Sequence, residues 1–161
     1  MKIAIIILLS FVLGMFFMDY IISKHNDSSK KEDLIKKISL YYHTFNLWMD
    51  IKQQGVDVAG YMKKQGYERV AIYGMKELGE RLYVELTQAE IDVICVIDGN
   101  KNVLGDFKLL SPNDDIPEID VLIVTAEYYF DEINNKMEKK VNCPILKLSE
   151  LLCDASGIAW R

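Results

Sequence analysis

Apolar residues change their spacing three times along the chain. From Ile3 to Ile22 they run almost without a break, "IAIIILLSFVLGMFFMDYII", interrupted by Ser10, Gly14, Asp19 and Tyr20. As a helix, about 20 residues reach roughly 30 Å, the thickness of a bilayer's hydrocarbon core. From Glu32 to Gln53 the apolar positions Leu34, Ile38, Tyr41, Phe45 and Trp48 are three or four residues apart, one face of an amphipathic helix that ends before Gly55. Asp57 then stands as the cap of a short helix through Lys64, stopped by Gly66. From Tyr67 short apolar runs alternate with helical spacing. "RVAIY", "DVICVID", "FKLL", "VLIVTA" and "PILKLS" are predicted strands. Glu77–Ala89, with Leu78, Leu82 and Leu86 four residues apart, is a predicted helix, as is 129–140, and the last strand is followed by a terminal turn of helix.

Nearly continuous apolar strands separated by helices predict a parallel sheet covered on both faces. The expected fold is therefore α/β, a Rossmann-like parallel sheet of about five strands, preceded by an amphipathic helix and an N-terminal transmembrane helix. The expected divisions are an anchor at 1–22, a polar linker at 23–31 ("SKHNDSSKK"), an amphipathic helical segment at 32–66 and the Rossmann-like domain at 67–161. The apolar face of the 32–53 helix is expected to pack on its own domain. A coiled-coil homodimer is the alternative use of the same face.

Flanking charge gives the anchor an orientation. Lys2 stands alone on one side, whereas Lys24, Lys30, Lys31, Lys36 and Lys37 stand on the other. Positive flanks stay inside, so the expectation is a single-pass protein of the cell membrane with its globular part in the cytoplasm. A cleaved signal peptide would need a shorter apolar core and an A-x-A-like site, which the sequence lacks. Three cysteines (Cys95, Cys143, Cys153) without CxxC spacing suit a reducing compartment better than a disulfide framework. Net charge of -5 argues against nucleic acid as a partner. His25 and His43 have no second ligand at metal spacing.

Candidate chemistry concentrates in "YGMKELGERL", after the first predicted strand. It nearly spells G-x-G-x-x-G, in which the first glycine makes the tight turn, the second leaves room for pyrophosphate and the third lets helix pack on strand. Gly74 and Gly79 fit the first and third positions. Lys76 holds the middle one. Asp98, 19 residues after Gly79, ends the second strand near the usual place of the acidic residue that bonds ribose. Two readings of Lys76 stand side by side: its ammonium replaces backbone amides as a phosphate partner, or the turn is structural and dinucleotide affinity is gone. Asp98-Gly99 also fits an ordinary turn. Thr125, Glu127 and Tyr128 follow the fourth strand and could line a crevice beside the first loop, or Thr125 or Glu127 could cap the next helix. Within the predicted Rossmann-like domain Tyr-x-x-x-Lys and G-x-S-x-G are both absent, and Asp114 and Asp115 look solvated.

The elements "LWMDIKQQG", "YERVAIYG", "ELGERLYVEL", "VICVID", "IDVLIVT" and "CPILKLSELL" resemble a Rossmann-like domain of bacterial cell-surface polysaccharide clusters, found alone or joined to glycosyltransferases and sugar-modifying proteins. They are also similar to the end domain of some sugar methyltransferases. The resemblance covers about Tyr42 to Leu152. It implies a nucleotide or nucleotide-sugar as ligand, held near Gly74, Lys76, Gly79, Asp98 and Thr125. It also implies glycosyltransferases or other polysaccharide-assembly proteins as partners. The family loop reads Y-G-x-G-x-x-G, so Lys76 is a departure, and NAD is not the expected cofactor. Alternatives are an enzyme modifying a nucleotide-linked sugar and an interaction scaffold without a ligand.

Overall fold

The computed structural model describes residues 2–158, with side chains at Met18, at Lys24 and from Ser29 onward. The chain divides into two units, Met1–Ser39 and Leu40–Arg161. The first unit is helical: α1 spans Lys2–Gln53, and the stretch 23–31, expected as a linker, lies within those bounds. The expected anchor falls on 3–22, where every side chain but Met18 lies outside the described residues. Among the described residues no helix is long and apolar enough to cross a membrane. Leu34, Ile35 and Ile38 are exposed, so the first two positions of the amphipathic stripe are not part of a core.

The second unit contains the sheet. After the last turns of α1 come α2 (Val58–Lys64), β1 (Arg69–Tyr73), α3 (Glu77–Gln88), β2 (Asp92–Ile97), β3 (Leu109–Leu110), β4 (Val121–Val124), α4 (Phe130–Met137), β5 (Ile145–Lys147) and α5 (Leu148–Ser156). A 3-10 turn, Glu127–Tyr129, leads into α4. All strands pair in parallel in the order β3-β2-β1-β4-β5. This is a Rossmann-like order: the sheet starts at its centre with β1, grows outward through β2 and β3, then jumps across β1 to β4 and β5. Asp57 caps α2 as its position predicts, accepting the Gly60 N–H at 2.8 Å. Asp120 accepts the N–H groups of Glu68 and Arg69 at 3.1 and 2.7 Å, which sets β1 against β4 at the sheet's amino edge.

Successive side chains of a strand point to opposite faces, and the two faces are covered unequally. Val70, Ile72, Val121 and Ile123 share one apolar cluster with Trp48 and Ile51 of α1, Val58 and Met62 of α2, Leu82 and Leu86 of α3, and Leu151 and Leu152 of α5. Four helices therefore cover this face. Ala71, Cys95, Ile97, Leu122 and Val124 face the other way, against Ile133 and Met137 of α4 and against Leu110 and Ile119. The connections from β2 to β3 and from β3 to β4 contain no helix, so among the described residues α4 is the one helix on that side. The core-facing half of the amphipathic stripe is thus real: Trp48 and Ile51 are buried at the end of α1, while Tyr41 and Tyr42 above them are exposed.

Candidate functional site

Strand order reverses between β1 and β4, and a ligand crevice of an open parallel sheet forms outside the strands' carboxyl ends at such a switch point. The β1–α3 turn lies there. Gly74 donates its N–H to the Ile97 carbonyl at 2.9 Å, which ties the turn to β2. Its φ of +94° is left-handed, and a Cβ there would meet Thr125 Oγ1 at 2.9 Å and Ala126 Cβ at 3.2 Å. Glycine is required on both counts. Gly79, buried in the first turn of α3, has the Gly74 carbonyl so close that an added Cβ would collide with it. The two glycines thus perform the tight-turn and close-packing roles that their spacing predicts.

Lys76 is different. It is the exposed N-cap of α3, with φ -89° and ψ -165°, a conformation open to any residue, and its side chain makes no capping bond. Nothing in the backbone asks for glycine here, so the lysine costs the fold nothing. Its Cβ and stem stand at the position where the second glycine of a dinucleotide loop leaves room.

Asp98 is half-buried at the end of β2. Its Oδ2 accepts the Met75 N–H at 2.7 Å and its Oδ1 accepts the Asn100 N–H at 2.8 Å. The turn reading of Asp98-Gly99 therefore holds, and the same carboxylate also binds the β1–α3 turn. One amide of the loop is thereby already taken by a side-chain carboxylate. Thr125 donates its hydroxyl to the Gly74 carbonyl at 2.7 Å, with the Tyr73 carbonyl at 3.2 Å. It clamps the turn from the β4 side and caps no helix. Gly74, Gly79, Asp98 and Thr125 thus meet around one turn, and Lys76 stands at its open side. Nearby, Tyr73 has its phenol held above the usual range by burial, then by the charges of Asp98 and Glu132.

Glu127, expected to line a crevice or to cap the next helix, does neither. It is buried, and its carboxylate accepts the Ser149 N–H at 2.7 Å and the Ser149 hydroxyl at 2.6 Å. It caps α5, 22 residues away in sequence, rather than α4, whose N-cap Tyr129 makes no side-chain bond. Burial raises its pKa despite the two bonds from Ser149 and the nearby Lys147, and Glu150 adds to the rise. Tyr128 and Tyr129, which follow it, are exposed and meet edge to face with centroids 5.1 Å apart.

All three cysteines are free. Burial pushes Cys95 up to about 11, opposed by Lys108, and also raises Cys143 and Cys153, the reverse of what a reactive thiolate needs. Among the described residues no group of His, Cys, Asp and Glu is arranged to hold a metal ion. Asp114 and Asp115 are exposed.

A groove of about 530 Å3 lies elsewhere, between the end of α1 and the length of α3. Its apolar lining includes Phe45, Trp48 and Val84. Trp48 donates its indole N–H to Glu85 at 3.0 Å, Lys52 pairs with the same carboxylate at 2.6 Å, and the Arg81 guanidinium lies 5.5 Å from the centre of the Phe45 ring. Among the charged groups that line it, Lys52 and Glu85 are paired with each other.

No curated protein and no solved structure matches the chain. A family profile does, over residues 66–146, half of the sequence, from the residue before Tyr67 and β1 through the β1–α3 turn and into β5. The chain belongs to the family described as C2185-like, N-terminal.

Proposed function

We propose that the β1–α3 turn binds the phosphate of a nucleotide or nucleotide-sugar. The observation that supports this reading is the turn itself: Gly74 at φ +94°, with Gly79 against its carbonyl, at the point where strand order reverses. The first-turn amides of α3 and the helix dipole favour an anion there, and Lys76 adds a mobile positive charge. A dinucleotide fits poorly, because Lys76 takes the pyrophosphate's room and Asp98 already occupies the Met75 amide. The ligand is therefore a smaller phosphate-bearing group in contact with Lys76, and Gly74, Gly79, Asp98 and Thr125 hold the turn that receives it. The chain serves as a binding or assembly module of cell-envelope polysaccharide synthesis, attached to the membrane by residues 3–22 with its domain in the cytoplasm. That pathway rests on the resemblance described above, and glycosyltransferases or other assembly proteins are the partners it implies.

A second reading is an interaction scaffold without a ligand. The bond from Met75 to Asp98 favours it, since an internal carboxylate can complete the turn alone. Calorimetric titration with a nucleoside monophosphate, a nucleotide-sugar and NAD separates the two. The first reading expects heat from one of the first two and none from NAD. Silence from all three supports the scaffold, and tight NAD binding overturns the account of Lys76. Turnover of the nucleotide-sugar in the same samples would instead indicate a sugar-modifying enzyme.

A further inference from the structure

Among the described residues three polar side chains are buried, Thr44, Glu127 and Ser149, and all three meet. Glu127 Oε1 accepts the Ser149 N–H, and Oε2 accepts the Ser149 hydroxyl at 2.6 Å and, at a longer 3.5 Å, the Thr44 hydroxyl. Capping α5 needs one acceptor, and a buried acid is a costly way to supply it. The second oxygen extends the cluster to α1. Two residues earlier in the chain, Thr125 donates to the Gly74 carbonyl at 2.7 Å, and the Ala126 Cβ lies 3.2 Å from where a Cβ on Gly74 would be. Three consecutive residues therefore have one end on the β1–α3 turn and the other on α1 and α5.

We propose that Thr125–Glu127 is a conformational relay between the β1–α3 turn and the docked end of α1, with the Glu127 carboxylate as its grip on the helix. The path is short and made of direct contacts, from the Gly74 carbonyl through the Thr125 hydroxyl and two peptide units to the carboxylate that faces Thr44. A shift of the turn moves the segment, and the segment carries the carboxylate toward or away from α1. Coupling of this kind is reciprocal: loosening either end loosens the other. A plain cap on α5 has no such reach.

The test is amide hydrogen exchange in the full chain and does not require a ligand. Thr44→Val removes the hydroxyl on α1 and keeps the side chain's shape. Thr125→Val does the same at the turn. Losing one hydrogen bond from a coupled unit predicts about five-fold faster exchange, seen at 73–79 in Thr44→Val and at 44–51 in Thr125→Val. The double variant should fall short of additivity, as coupled sites do. In a Glu127→Gln background Thr44→Val should no longer affect 73–79. If Glu127→Gln does not fold, the cycle of the two threonine variants still decides. Changes confined to each variant's own element, with an additive double variant, would overturn the relay and leave Glu127 as a cap.

Discussion

Lys76 separates what the fold needs from what a ligand needs. Its neighbours Gly74 and Gly79 are fixed by a left-handed backbone and by a collision with a carbonyl, whereas Lys76 is exposed in an ordinary conformation. Lys76→Gly is therefore expected to change unfolding free energy by less than about 1 kcal/mol, the range of surface substitutions and of glycine at an N-cap. Urea titration checks this. Binding goes one of two ways: stronger dinucleotide affinity if the lysine only blocks the loop, weaker affinity for the native phosphate ligand if it is a partner. Glu127 gives a second residue-scale prediction. Burial raises its folded pKa above the ordinary 4.5. A raised carboxyl binds its proton more tightly when folded, so its contribution to stability is fully present below the unfolded pKa and is lost as pH rises through the folded one. Denaturation midpoints of the wild type should fall relative to Glu127→Gln across that interval. A constant difference between the two proteins would mean that the carboxyl titrates alike folded and unfolded.

At the scale of elements, α1 does two things. Leu34 and Ile38 are exposed, while Trp48 and Ile51, further along, belong to the core with α2, α3 and α5. Trp48→Ala should cost about 3–5 kcal/mol, the range for a large aromatic removed from a packed core. A chain starting after Gly55 should lose solubility or stability by exposing the cluster that Trp48 and Ile51 cover. An unchanged melting temperature for that truncation would make α1 a spacer, and sedimentation of the full chain would then show whether its exposed face forms a dimer. The central strands β1, β2 and β4 were legible because buried parallel strands are apolar runs bounded by turns, and Asp57 was legible as a cap because its target lies three residues away. Spacing could not separate the buried from the exposed half of the α1 stripe, since both halves repeat alike. Nor could it give Glu127 its partner, because the amide it caps is brought near by the pairing of β4 with β5. The two-residue β3 and the nine-residue α5, longer than the expected turn of helix, are set by tertiary packing rather than by local pattern.

For the whole molecule the proposal to test is membrane attachment. The apolar run at 3–22 and the lysines after it motivate the proposed anchor and its orientation. Carbonate washing should leave the chain in the membrane fraction, and protease added to intact cells should spare it. Release by carbonate would remove the span, and digestion from outside would reverse the orientation. The ligand-bearing part of the proposal is independent of both outcomes, because Gly74, Lys76, Gly79, Asp98 and Thr125 all lie in the second unit.

The all-parallel strand order has a consequence for how this protein comes into being. No strand is joined to its neighbour by a hairpin, and the central β1 needs β4, some 50 residues later, to complete its pairing. Trp48 shares its core cluster with Leu151 and Leu152, at the far end of the domain. Contacts of such long sequence separation form slowly, and during synthesis they must wait until the ribosome has released α5. Until then the apolar faces of α1, α2 and α3 have no complete core to join. Nascent chains arrested before Leu148 should accordingly be cleaved readily within 67–97, and chains released through Ser156 should resist, which places the closing step of folding at the last helix.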